Sequence, residues 1–350
     1  MAVKCTQDWM NSTLVPLSQV CSDSNGNCDR SFDVGKEMVR LTITIILEAA
    51  LEYKATKEEA DHLANEFLIA THEFQKISAG MNPFRQLFGK FNKGAQRAKL
   101  AKENLFSFAK NIIHCYQENA DRDEKNTNTL LKCIMLNPNY QSDDERASDV
   151  VMFMYAGFDN TGYAIAWTLL ELGWNPTVVA SLKSELKDTP KDEWHKSTPL
   201  RNIMKESMRL HPVTPGGSVR LAGKSFVFED IIIPKGSMVQ VPSMLYTRDE
   251  DVFDDPDEFQ PDRWNNKNKS QSMTETFLPF VAGRHNCAGQ ALANIEIEMV
   301  LSLLVQEYDF RVASKGEEQF SITLKPVGAR LTPIRKLAEK RYHTRLKFSL

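Results

Sequence analysis

The sequence predicts a mainly α-helical protein with a minor β region, and three observations predict it. From about Val34 to Leu210 apolar residues recur three and four positions apart, the spacing of helices with one buried face, and the breaks carry Pro, Asn, Asp or Gly. Beyond Pro212 the period changes to short β-like runs separated by Gly, Pro and Asp. The 350 residues are 42% hydrophobic and 25% charged, an ordinary globular composition long enough for a sizeable core.

Taken in order, residues 1–31 are expected to be an irregular lead-in. The first helix is expected over residues 36–50, around the apolar run LTITIILEAAL, and a second over 56–78. A third, over 93–119, carries Lys93, Arg97, Lys99 and Lys102 on what reads as a solvated basic face that begins upstream with Arg85 and Lys90. Helices then follow over 126–135, 144–173, 176–187 and 198–210, the last ended by His211 and Pro212. The runs SVRLA, FVF, III and MVQVP indicate a small sheet. One more helix spans about 288–306, the strands DFRV, SITLK and ARLTP follow it, and residues 337–350 form a basic tail.

Bulk numbers exclude several classes. A net charge of -3 gives no reason to expect nucleic acid as a partner. The six cysteines, at 5, 21, 28, 115, 133 and 287, make neither a zinc spacing nor a dense disulfide pattern, which fits a reducing compartment. The longest apolar run, Leu41 to Leu51, is interrupted by Glu48 and is too short for a bilayer that needs about 20 residues, so no transmembrane segment is expected. The first ten residues lack the basic start and apolar core of a signal peptide.

Two stretches carry chemistry. In FVAGRHNCAG, Phe280 to Gly289, a lone thiol at Cys287 is framed by Gly283 and Gly289 and followed at once by a helix. Gly283 allows the backbone to turn tightly beside a flat ligand, and the amides opening the next helix favour negative charge on sulfur. Such a setting suits a metal-binding thiolate. In VVMFMYAGFDNTGYAIAW, a long apolar helix is interrupted by Gly157 and by the polar group Asp159, Asn160 and Thr161.

The decamer around Cys287 resembles the haem-binding signature of the cytochrome P450 family, where Phe, Gly, Arg, Cys and Gly recur at these positions. Phe280, Gly283, Cys287 and Gly289 match, while His285 stands in the arginine position with Arg284 beside it. The resemblance spans about Phe32 to Lys336 and implies the cytochrome P450 fold, with haem held by the Cys287 thiolate. It implies that His285 and Arg220, in GGSVRLAG, grip the haem propionates. Glu206 and Arg209, three apart on one helix face, together with Arg263, would form a buried structural network under the cysteine loop.

On the long helix the family pattern of small residue, Gly, any residue, acid and Thr is matched through Asp159 and then departs, with Asn160 in the threonine position and Thr161 one step on. One step turns a side chain by about 100°, so Thr161 does not replace the missing hydroxyl. The resemblance implies a widened turn here that accommodates dioxygen, with Asp159, Asn160 and Thr161 as the catalytic polar group. Met154, Tyr155, Phe158 and the loop beginning at Val213 either face a lipophilic substrate or are plain core, and both readings stand.

The implied activity is that of a haem-thiolate monooxygenase. It would insert one oxygen atom from dioxygen into a lipophilic small-molecule substrate, with electrons from an NADPH-dependent flavin reductase or a ferredoxin-type donor. The alternatives are a reductase-independent isomerase or dehydratase, which Asn160 motivates, and a catalytically inactive haem-binding fragment. Against the family's architecture the chain is expected to lack the N-terminal anchor, the first strands and the early helices, and therefore to hold haem weakly or not at all. A full-length parent would associate with a membrane, at the cytosolic face of the endoplasmic reticulum.

Overall fold

A computed structural model describes residues 1–18, 30–79, 92–119, 129–265, 271–320 and 322–335, the side chains of 74–79 and 191 excepted. The chain opens with a helix, α1 (Ala2–Trp9), which continues through a π turn at Met10–Leu14 into a last helical turn at Val15–Ser18. A two-residue strand, β1 (Phe32–Asp33), leads into α2 (Val34–Ala50), α3 (Lys57–Ala79), α4 (Lys93–Asn119), α5 (Leu130–Leu136), α6 (Asp143–Trp174), α7 (Pro176–Glu185) and α8 (Thr198–Leu210). Four short strands follow, β2 (Ser218–Leu221), β3 (Phe226–Phe228), β4 (Ile231–Ile233) and β5 (Met238–Val241). After α9 (Gln290–Glu307) come β6 (Tyr308–Ser314), β7 (Glu317–Phe320), β8 (Leu324–Val327) and β9 (Arg330–Arg335).

Local chemistry sets the helix starts. Asp33 accepts a hydrogen bond from the Lys36 amide at 2.9 Å and opens α2, and Ser142 accepts from Glu145 to open α6. Asp143, Asp144 and Glu145 then place negative charge at the positive end of the α6 dipole. Ser197 caps α8 through the Leu200 amide, with Pro199 in its first turn.

Helix α6 joins two cores. Its first half, from Ala147 to Phe158, packs against α2, α3, α4 and α5. Its second half, from Ala164 to Leu172, packs against α1, α2, α8 and α9 and the terminal strands. Each large apolar side chain so buried contributes about 1.5–3 kcal/mol. The polar residues 159–161 fall at the junction between the two cores. Helix α2 lies tightly along α6: a Cβ added at Gly162 would sit 2.9 Å from the Val39 Cα, and one at Gly157 would sit 2.8 Å from Ile46. Thr42 also donates from Oγ1 to the Phe158 carbonyl at 2.9 Å.

Several expectations are corrected here. The start of the chain is helical rather than irregular, because Cys5, Trp9, Met10 and Leu14 bury into the larger core and Trp9 donates its indole N–H to Glu37 at 3.0 Å. The expected small sheet is two separate antiparallel ladders, β2 with β5 and β3 with β4. Two further strands emerge: β1 pairs with β9, which also pairs with β6, while β7 pairs with β8. The run SITLK contributes only its end, since β8 starts at Leu324. No widened turn interrupts α6, which is α-helical from Asp143 to Trp174. Gly157 serves the approach of Ile46 instead. The start of the expected helix 126–135 and the basic tail lie outside the described residues, as do Arg85 and Lys90.

Candidate functional site

The cysteine loop is built by backbone hydrogen bonds. The Cys287 amide donates to the Phe280 carbonyl at 2.9 Å, the Asn286 amide to Gly283 at 3.2 Å and the Val281 amide to Leu278 at 3.1 Å. A single 3₁₀ turn, Gly283–His285, forms inside this closure. Gly283 has φ +73°, and a Cβ there would meet nothing within 4 Å, so the glycine leaves open space beside the loop. Val281 also has positive φ, +62°, an unusual conformation for a β-branched residue. Phe280 anchors the loop by packing against the larger core, while the thiol of Cys287 is free and exposed. Gly289 is the N-cap of α9, and a Cβ there would sit 3.8 Å from the Cys287 Sγ.

Behind the loop lies a buried ionic network. The Glu206 carboxylate, fully buried, accepts from Arg209 Nε at 3.0 Å and Nη2 at 2.8 Å, and from Arg263 Nε at 2.9 Å. The Gln260 amide and the Trp264 indole N–H complete its shell at 3.0 and 2.8 Å. Both guanidiniums spend their remaining donors on backbone carbonyls of Thr247, Pro256 and Glu258, and of Asp254 and Asp255. A buried ion pair survives only with such full satisfaction. Trp264 then passes the network on: its ring centroid is 4.6 Å from that of Phe277, on the chain that enters the cysteine loop. Reading the sequence missed Trp264, although it directly follows Arg263.

The third part is the junction on α6. Met152 is 61% exposed and Ala156 is exposed, one turn apart among partly or fully buried neighbours, and the partly buried Asn160 extends the same line. Asp159 points elsewhere: it is buried, accepts from Thr323 Oγ1 at 2.9 Å and lies 3.9 Å from Lys325 Nζ. Burial pushes its carboxyl above the usual range, with Lys325 and Thr323 opposing. Asn160 Oδ1 accepts from Thr214 Oγ1 at 3.2 Å, and Thr161 is buried. Met154 and Phe158, read as core or pocket, are core residues in the first half of α6. Tyr155 stacks on Phe67 with centroids 5.7 Å apart, and Val213 packs partly buried against the larger core. The exposed apolar positions Met152 and Ala156 were missed, because periodicity marks a buried face without telling it from a ligand-facing one. Arg220 and His285 are both exposed, and Arg220 Nη1 donates to the neighbouring Val219 carbonyl.

The family model described as Cytochrome P450 matches residues 2–336. The chain belongs to the cytochrome P450 family. The match takes in the first helix, so the likeness begins earlier than the expected Phe32. Cytochrome P450 3A40 of Oryzias latipes is 29% identical over 206 residues, 55% of this chain and 41% of that protein. The sterol 14alpha-demethylase of Mycolicibacterium vanbaalenii is 29% identical over 230 residues, covering 62% and 50%. These matches span about half the length of the relatives. The fold is shared with the crystal structure of a cytochrome P450, CYP102L1, at a TM-score of 0.79 and 20% identity, over 96% of this chain and 76% of that one. A second match, cytochrome P450DA heme domain, also has a TM-score of 0.79, at 19% identity.

Membership in the cytochrome P450 family implies haem with a cysteine thiolate ligand, and the residues present fit it. Among the described residues no three His, Cys, Asp or Glu side chains gather to hold a bare ion. A metal taken by the exposed Cys287 thiol must bring its other ligands with it, as a porphyrin does. Gly289 leaves the side of the sulfur free, where a Cβ would sit 3.8 Å from it, and Gly283 leaves open space in the same loop. No described helix is long and apolar enough to cross a membrane.

Proposed function

We propose that this chain is the haem-thiolate portion of a monooxygenase that inserts one atom of dioxygen into a lipophilic organic substrate. The observation that carries the reading is Cys287, a free exposed thiol in a backbone-closed loop at the start of α9. Haem, when bound, supplies the activation of dioxygen, and a thiolate ligand favours cleavage of the O–O bond. The protein's own residues do the rest.

Cys287 would hold haem through its thiolate, where Gly289 places no side chain against the sulfur and Gly283 leaves open space at the loop. Phe280 fixes the loop to the core. Arg220 and His285 pair with the propionates, since both are exposed and can donate charge-assisted hydrogen bonds. Glu206, Arg209 and Arg263 hold the loop's support through Trp264. On α6, the exposed Met152 and Ala156 would offer an apolar surface to the substrate. Asp159, whose carboxyl burial pushes above the usual range while Lys325 and Thr323 oppose, is a titratable group of the junction and would serve proton handling there. Electrons come from a flavin reductase using NADPH or from a ferredoxin-type donor.

A second reading rests on Asn160. An amide at that position does not pass a proton as a hydroxyl does, and this favours a relative that rearranges or dehydrates its substrate without a reductase. Consumption of NADPH and dioxygen in the presence of a reductase separates the two.

The test of the main reading is haem reconstitution followed by the spectrum of the reduced carbon monoxide adduct. The unaltered chain should show the red-shifted Soret band of thiolate ligation, and Cys287→Ser should lose it. An identical spectrum in the serine variant overturns the assignment of Cys287.

A further inference from the structure

The α6 junction lacks a hydroxyl of its own at position 160, yet a hydroxyl reaches it from another element. Asn160 sits between two partners. Its Nδ2 is 3.5 Å from the carbonyl of Ala156, and its Oδ1 is 3.2 Å from Thr214 Oγ1. A carbonyl only accepts, so the amide nitrogen belongs on the Ala156 side. The Oδ1 atom therefore faces Thr214, whose hydroxyl is the donor. This leaves the second Nδ2 hydrogen for an outside acceptor, on the face that Met152 and Ala156 leave open.

Thr214 does not depend on Asn160 for its own place. Its carbonyl accepts from the Gly217 amide and from Ser243 Oγ, each at 3.0 Å. The next residue, Pro215, has a fixed φ. The preceding carbonyl, of Val213, accepts from the Leu324 amide at 2.9 Å, and Leu324 in turn accepts from the Trp167 indole at 3.1 Å. The neighbouring Thr323 holds Asp159. One loop and one hairpin thus fix both polar side chains of the junction from outside the helix.

We propose that Thr214 is a positioning residue, which orients the Asn160 amide so that it offers an N–H, and not its oxygen, to an acceptor on the open face of α6. That acceptor would be a diatomic ligand of the haem, a step that rests on the haem reading above. The two parts are tested separately.

In the chain without haem, the side-chain amide signal of Asn160, assigned by its loss in Asn160→Ala, is followed by nitrogen-15 NMR. Thr214→Val should shift it and speed its exchange with solvent about fivefold, the effect of losing one ordinary hydrogen bond. Thr214→Ser should restore both. In the haem-loaded, reduced protein, the infrared C–O stretch of bound carbon monoxide should move in Thr214→Val and return in Thr214→Ser. An unmoved Asn160 signal, an unmoved C–O stretch, or a serine variant that behaves like the valine variant overturns the proposal. Absence of thiolate-type absorption in the unaltered chain refutes the haem reading instead, and the NMR result then decides the role of Thr214 alone.

Discussion

Val281 carries the clearest local strain. At φ +62° its branched Cβ crowds the backbone, and such a conformation costs about 1–3 kcal/mol and persists only where surroundings enforce it. Here the enforcing contacts are the Val281 amide to Leu278 and the Cys287 amide to Phe280, which close the loop. Val281→Gly relieves the strain and gives back part of the gain as chain entropy, so it should raise stability by about 1 kcal/mol in urea unfolding. A lower midpoint would show that the valine side chain packs better than its backbone suffers. At this scale the sequence singled out Cys287 as a candidate by its neighbours in FVAGRHNCAG, and the structure places it free and exposed in a closed loop. It did not reveal that Asp159 and Asn160, adjacent in the chain, face different partners. Those partners, Thr323 and Thr214, lie 164 and 54 residues away.

The contact between α2 and α6 depends on small residues at the level of elements. An alanine at Gly162 would press on the Val39 backbone and on Thr42 Oγ1, both within about 3 Å, and backbone does not yield cheaply. Gly162→Ala should therefore cost about 2 kcal/mol, whereas Gly223→Ala, with nothing within 4 Å, should be close to neutral. Thermal unfolding of the two variants side by side checks this, and equal midpoints would count against the tight packing. Elements themselves were legible where period and punctuation agreed. The expected bounds of α4 and α8 coincide with those observed, as do those of β3 and β4. Strand β7 was hidden because EEQF has no apolar alternation. Helix α1 was hidden because its polar sequence is held by distant groups, Cys5 by Glu48 and Trp9 by Glu37.

Across the whole molecule, buried ionisable groups set the response to pH. Glu296 on α9 is 2% exposed, its Oε1 has no hydrogen-bond partner, and burial pushes its carboxyl up to about 8. A folded-state value above the unfolded one means stability is fully present below about 4.5 and is lost as pH rises toward 8. The loss amounts to about 3 kcal/mol at pH 7. His211 acts in the same direction. Burial opposes its charge, but the hydrogen bond to Glu171 and the nearby Glu318 carboxylate prevail and raise it, so its contribution also fades as pH climbs past the ordinary histidine value. Glu318, held low by His211, works oppositely and loses its contribution in acid. Glu296→Gln should thus match the parent near pH 4 and exceed it by about 3 kcal/mol near neutrality. Urea unfolding across that range checks it, and parallel curves would refute it.

The three-stranded sheet joins residues from opposite ends of the chain. Phe32 pairs with Leu331, and Arg330 reaches Ser31 across 299 positions. On a ribosome that strand emerges long after the helices it must meet, and its closure carries the entropy of a very long loop. Helix α2, fastened at its entrance by this pairing, therefore waits until synthesis has passed β9 before its first turn is clasped. Premature termination anywhere before Arg330 would leave an unpaired strand next to the principal core.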